Sequence, residues 1–192
     1  MFVNAFELPE TSNGIVHFPG SPRQYRADCK AGIFKIGETD PLGKSIEMEI
    51  ITYRSFNAEL FGYRYQLWVE VFFIDKENTV SHILFKTESI ANFLELMRKL
   101  TAIKKSIGTQ IVRAKTAKRS NDSGTYYAVE FESKDNDSDR IKQLSDFVNS
   151  NINGIYSARL ADTFDKPEET KELSSNNGST KAIQPSQEGE DC

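Results

Sequence analysis

Histidine, cysteine and tryptophan are all scarce in this chain, at two, two and one copies. Two histidines, His17 and His82, give no His/Cys metal spacing, and Cys29 and Cys192 lie too far apart in sequence to outline a disulfide framework. Gly-x-Ser-x-Gly and P-loop patterns are also missing, so the common hydrolase and nucleotide-phosphate signatures are excluded. No cofactor is expected. There is no apolar run of membrane-spanning length, and the opening Met1-Phe-Val-Asn-Ala-Phe is followed at once by Glu7, which does not read as a signal peptide. The expected setting is the cytoplasm, with no membrane partner.

Apolar residues are few overall, at 38%, and the deficit has a location. From Asp162 to Cys192 almost nothing is available to bury, and eight acids face three lysines, a charge of −5. Such a segment cannot offset its ordering entropy. The formal total is −4, so residues 1–161 sum to about +1. The reading is an irregular N-terminal arm over 1–28, a β-domain with two helices over 29–160, and a disordered acidic tail over 161–192.

Acids are missing from one more place. Between Met97 and Arg119 stand Arg98, Lys99, Lys104, Lys105, Arg113, Lys115, Lys118 and Arg119, without a single carboxylate. A basic cluster of this kind suits an anionic ligand.

What is present is β-pattern. The most apolar run is Tyr65-Gln-Leu-Trp-Val-Glu-Val-Phe-Phe-Ile-Asp75, a central strand holding the only tryptophan. Alternation puts Tyr65, Leu67, Val69, Val71 and Phe73 on one face and Gln66, Trp68, Glu70, Phe72 and Ile74 on the other. The first face calls for a core. The second mixes aromatic and polar groups, as a ligand surface does, or packs under a helix or loop. Before it, strands are expected over 29–37 and from Ser45 to about Phe56. In the latter Ile50 and Ile51 break the alternation, and a bulge there would re-aim Tyr53, Arg54 and Phe56. After it come a turn at Asp75–Asn78 and a return strand over 80–86. Thr87 is the expected N-cap of a helix over 88–105. Strands over 109–118 and 125–133 form a hairpin. A second helix begins at Ser138, with Ile141, Leu144, Phe147 and Val148 as its apolar stripe, and ends at 151–154. Ile155–Leu160 reads as a last short strand.

With a helix between its third and fourth strands, this order resembles the OB-fold single-stranded-DNA-binding proteins of phage, plasmid or bacterial type. The resemblance rests on element order over residues 29–150 and on the acidic tail. It implies a mainly β (α+β), five-stranded OB-like barrel with a C-terminal helix and a disordered tail. It further implies non-catalytic, sequence-tolerant binding of single-stranded DNA, with RNA as a related ligand. In that family aromatics stack on bases and cations track phosphates. Carried onto this chain, Tyr53, Phe56, Tyr63, Trp68 and Phe72 would stack, and Arg54, Arg113, Lys115, Lys118 and Arg119 would contact phosphate. The tail would recruit replication or repair proteins, and a homo-oligomer would supply more stacking platforms. Glu47, Glu49 and Glu70 fall beside the same groove.

Two other readings stand beside it. A protein–protein interaction or scaffold β-module would use the same aromatics in an interface, without nucleic acid. A nuclease-like arrangement would join Asp75 to Glu130, Glu132 and Lys134 around Mg²⁺.

Overall fold

The computed structural model describes residues 10–12, 14–18, 20–122 and 124–157. The expected acidic tail lies outside these residues. Ten strands and two α-helices are present among the described residues. The strands are β1 (Glu10–Ser12), β2 (Ile15–His17), β3 (Arg23–Asp28), β4 (Ile33–Ile36), β5 (Asp40–Gly43), β6 (Ser45–Ala58), β7 (Gln66–Ile74), β8 (Val80–Lys86), β9 (Gln110–Asn121) and β10 (Gly124–Asp135). The helices are α1 (Thr87–Ala102) and α2 (Ser138–Ser157).

β1 and β2 form a small hairpin, and the other eight strands form one sheet in the order β10-β9-β6-β7-β8-β3-β4-β5. All its pairings are antiparallel except β3 with β8. The chain is mainly β, and its sheet curls into a half-barrel. Eight strands replace the five expected. Part of the difference lies in sequence read as an irregular arm or as one strand. Arg23–Asp28 is a full member of the sheet, and 29–37 holds a turn followed by β4.

The curl brings distant backbone together. Tyr127 N donates to Cys29 O at 2.9 Å, and Thr116 N donates to Lys44 O at 2.9 Å. Gly32 sits at this contact with φ +69°, and a Cβ there would lie 2.6 Å from the Tyr127 ring. Only glycine fits such an approach without displacing the aromatic ring.

Apolar periodicity explains the layers. α1 lies against the inner face of the sheet and buries Ile90, Phe93, Leu96 and Leu100 against Val69, Val71, Phe73, Ile83, Phe85, Val112 and Val129. It also shields the β10 edge. Val129 N donates to Ser89 Oγ at 3.0 Å, and Asn92 Nδ2 donates to Val129 O at 2.9 Å. Unpaired edge groups invite further strand pairing, and these side chains satisfy two of them. The α1 boundary differs slightly from expectation: Lys86 occupies the cap position, and Thr87, the first residue of α1, has a left-handed φ of 49°.

On the outer face α2 packs Leu144, Phe147 and Ile155 over Phe72, Ile74, Val80 and Ile15. Its start is capped by Asp137, whose Oδ1 accepts from Asp139 N and Arg140 N. The helix continues through Ser157, so residues 155–157 of the expected last strand are helical, and 158–160 lie outside the described residues. Ile155 is one of the buried residues that hold the last turn on the sheet.

The bulge in β6 is present. Ile50 pairs with Phe73 and Thr52 with Phe72, leaving Ile51 extra. One inserted residue reverses the side-chain parity. Met48 and Ile50 therefore face inward, whereas Arg54 and Phe56 face outward beside Glu70 and Trp68. No helix among the described residues is long and apolar enough to cross a membrane.

Candidate functional site

The outer face of β7 is covered, and this decides the fate of two expected stacking residues. Trp68 is 1% exposed. It packs with Ala58 and Leu60, its Nε1 donates to Ala58 O at 3.1 Å, and the rings of Phe61 and Tyr63 meet it edge-on. Phe72 is equally buried, under α2, with its ring parallel to His82. A base cannot lie on either ring in this arrangement. The physical reason is that residues 59–63 and α2 bury apolar area on the face that alternation left unassigned.

The other aromatic candidates divide. Phe56 is half-buried beneath the Arg54 guanidinium, 4.8 Å from its ring centroid. Tyr63 is half-buried beneath Lys86 Nζ. Tyr53 is 43% exposed on the inner face, edge-on to Phe93. Alternation places Tyr53 on the opposite side of the sheet from Arg54 and Phe56, and the bulge before them decides which face each takes.

Arg54 is committed to a buried polar cluster. Its Nε donates to Glu70 Oε2 at 2.8 Å, and Glu70 Oε1 meets His82 Nδ1 at 3.1 Å. Glu70 is fully buried, so its charge needs both partners.

The basic strand also reads differently in three dimensions. Lys115 pairs with Glu132 and Glu130, and Arg119 pairs with Glu88 and Glu130. The carboxylates missing from residues 97–119 arrive from β10 and from the first turn of α1. Hydrogen bonding to Arg119 is the main reason the Glu88 carboxyl is held below its usual range. Hydrogen bonding to Lys115 does the same for Glu132. Arg113 Nη2 donates to Ser45 Oγ at 3.3 Å, and Lys118 is exposed. The strand is therefore largely neutralised at Lys115 and Arg119, and Arg113 lies opposite Glu132 and Glu47 in the register.

The nuclease-like set is not assembled. Asp75 is buried and accepts from Arg23, Tyr25, Ser81 and the backbone of Glu77 and Thr79. Glu130 and Glu132 are taken by Lys115 and Arg119. Among the described residues no group of three His, Cys, Asp or Glu is placed to hold a metal ion.

The most distinctive surface is the β6–β7 end of the sheet, a connection in which sequence reading singled out only Tyr63. Leu60-Phe61-Gly62-Tyr63 is a tight turn, closed by Tyr63 N donating to Leu60 O at 2.9 Å. Phe61 has φ 55° and Gly62 φ 80°. Both signs match a primed turn, where glycine, asparagine or aspartate is the usual first central residue. A phenylalanine in the left-handed region costs about 1–2 kcal/mol. Its ring is nevertheless 48% exposed, with the Arg26 guanidinium 5.3 Å from the centroid. Exposed Arg64 follows, then Tyr65 at 69% exposed. Residues 60–65 read Leu-Phe-Gly-Tyr-Arg-Tyr, and the aromatic directly before Gly62 was the available signal.

Behind Phe61 lies a cavity of about 20 Å³, lined by Gln24, Arg26, Phe61, Trp68, His82 and Leu84. β3 and β8 supply four of these residues, because their parallel pairing sets Gln24 beside His82.

No protein-family model, curated protein or solved structure matches this chain.

Proposed function

We propose that this chain is a non-catalytic module that binds single-stranded DNA at the β6–β7 end of its sheet. The observation that carries the reading is Phe61: a bulky aromatic kept exposed in a strained turn, with one arginine over its ring and another three residues on. Backbone strain at an exposed side chain points to a use for that side chain. In this reading Phe61 and Tyr65 stack on successive bases while Arg26 and Arg64 meet phosphates. The mode resembles that of OB-fold proteins, aromatic platforms beside cations, on a half-barrel of eight strands instead of a five-stranded barrel. Of the residues first assigned to binding, exposed Tyr53, Arg113 and Lys118 remain accessible. Residues 162–192 would add an acidic segment for protein partners.

A protein-interaction module is the second reading. It is favoured by the neutralisation of Lys115 and Arg119 and by exposed Leu67 beside Tyr65.

Anisotropy of a fluorescent oligo-dT, titrated at low and at high salt, separates the two. The DNA reading expects saturable binding that weakens with salt, because phosphate contacts release counterions. It further expects Phe61→Ala and Arg64→Ala to weaken binding severalfold. Absence of binding at low salt refutes it in favour of the protein interface.

A further inference from the structure

We infer that the β10 edge pairs with the β10 edge of a second copy of this chain, antiparallel about a two-fold axis through Ser133. The inference is independent of what the β6–β7 end binds. It begins with the direction of the backbone groups. Tyr127 N donates to Cys29 O, Val129 N to Ser89 Oγ, and Asn136 N to Thr109 O, beside β9. Bonding direction alternates along a strand, so Tyr127 and Val129 point away from β9 and Asn136 towards it. β9 and β10 pair without a register shift from Gly124 to Asp135, so the parity holds to the end of the strand. Phe131, Ser133 and Asp135 therefore turn their N–H and C=O groups outward.

The two halves of that edge differ. The first is covered: Cys29 meets Tyr127, and Ser89 and Asn92 of α1 take the Val129 N–H and C=O. Among the described residues, nothing pairs with the outward backbone of Phe131, Ser133 or Asp135. Glu132, Ser133, Lys134 and Asp135 are all exposed. Beside Phe131, α1 leaves an open groove of about 210 Å³ lined by Asn92, Glu95, Leu96 and Lys99, so a strand has room to approach. The opposite edge of the sheet is the short β5, which carries Pro41, a usual protection against edge pairing. The open half of β10 has neither proline nor bulge.

The occupant is read from the side chains. The exposed run is Glu132-Ser133-Lys134. Pairing about Ser133 sets Glu132 opposite Lys134 of the second copy, once on each side of the axis, and Phe131 opposite Asp135. An edge of one charge would repel itself, whereas this one is self-complementary. The neighbouring registers are not. Centring on Phe131 opposes Glu130 to Glu132 and requires the covered Val129. Centring on Asp135 opposes two aspartates. Within their own chain Glu132 and Lys134 meet Lys115 and Glu47 in exposed pairs, which solvent screens and which contribute little. The ladder uses half of one strand, so the dimer belongs at the weak end of specific interfaces, with a dissociation constant of about 10–100 µM.

Sedimentation velocity of the full chain, over a concentration series spanning that value, should show a reversible monomer–dimer equilibrium. Glu132→Lys and Lys134→Glu each oppose like charges on both sides of the axis and should each weaken dimerisation about tenfold. An equimolar mixture of the two variants restores both opposite-charge pairs and should form a heterodimer about as tight as the wild-type dimer. A general loss of structure in either variant would not be rescued by mixing. Ser133→Pro removes the donor on the axis at an edge position that tolerates proline, and should leave a monomer that circular dichroism shows to be folded. A wild-type chain that stays monomeric across the series overturns the inference. So does a dimer that neither charge reversal nor Ser133→Pro weakens, or a variant mixture that fails to pair.

Discussion

Replacing Trp68 by alanine is the sharpest test of how this fold is built. The side chain is 1% exposed and touches Ala58, Leu60, Phe56, Tyr63 and Leu84. Its removal leaves a large void that turn residues 60–63 can only partly fill. Burial of this kind costs about 3–5 kcal/mol when a tryptophan is truncated. The Ala58 carbonyl also loses its indole donor, which adds to the upper part of that range. For a chain of this size such a loss lowers the melting temperature by roughly 6–20 °C. The assay is urea unfolding followed by far-ultraviolet circular dichroism, since the variant has no tryptophan to report. The midpoint should fall with the slope unchanged. Trp68→Phe keeps an aromatic body and should cost about 1–2 kcal/mol, mostly through the lost N–H bond. A loss below about 1 kcal/mol for Trp68→Ala, together with loss of DNA binding, would refute the reasoning and return Trp68 to the ligand surface.

Phe61→Asn places a residue that tolerates the left-handed region in the turn, and unfolding assays should show stability equal or higher by up to about 1 kcal/mol. The same variant should bind oligo-dT several times more weakly, so stability and binding move in opposite directions. Asp75→Asn leaves Arg23 beside a neutral amide and disturbs the bonds from Tyr25 and Ser81; chemical denaturation should report a loss of about 2–4 kcal/mol. Glu88, held below its usual range chiefly by the Arg119 hydrogen bond, contributes stability that is present above the ordinary glutamate value of 4.5 and is lost as pH falls through its lower folded value. The stability gap between the wild type and Glu88→Gln, measured by unfolding at a series of pH values, should therefore close on acidification; a constant gap would contradict the pairing. Arg119→Ala should leave the salt dependence of DNA binding unchanged, because that guanidinium already faces two carboxylates.

Much of the strand and helix inventory was legible from periodicity, because alternation and the helical repeat are local properties. The meander β6–β7–β8, the helix α1 and the hairpin β9–β10 all follow from apolar spacing and turn residues, and Ile50-Ile51 announced the bulge. What could not be read was which surface each face would meet. Trp68 and Phe72 fell correctly on one face of β7, but the cover over that face comes from residues 59–63 and from α2, some seventy residues on. The basic character of β9 was real in sequence and is cancelled in space by Glu130, Glu132 and Glu88, since cross-strand partners are set by register. The site itself was the least visible. It needs β3 beside β8, a parallel pairing that no local pattern encodes, and a positive φ at Phe61 that only the closed turn imposes. The sequence alone determined the strands, the helices and the side chains available on each face, because those depend on near neighbours. Strand order, the closure of the sheet at Gly32 and the assembly of Gln24, Arg26, Phe61 and His82 around one cavity were decided by tertiary structure, because they depend on which distant surfaces bury together.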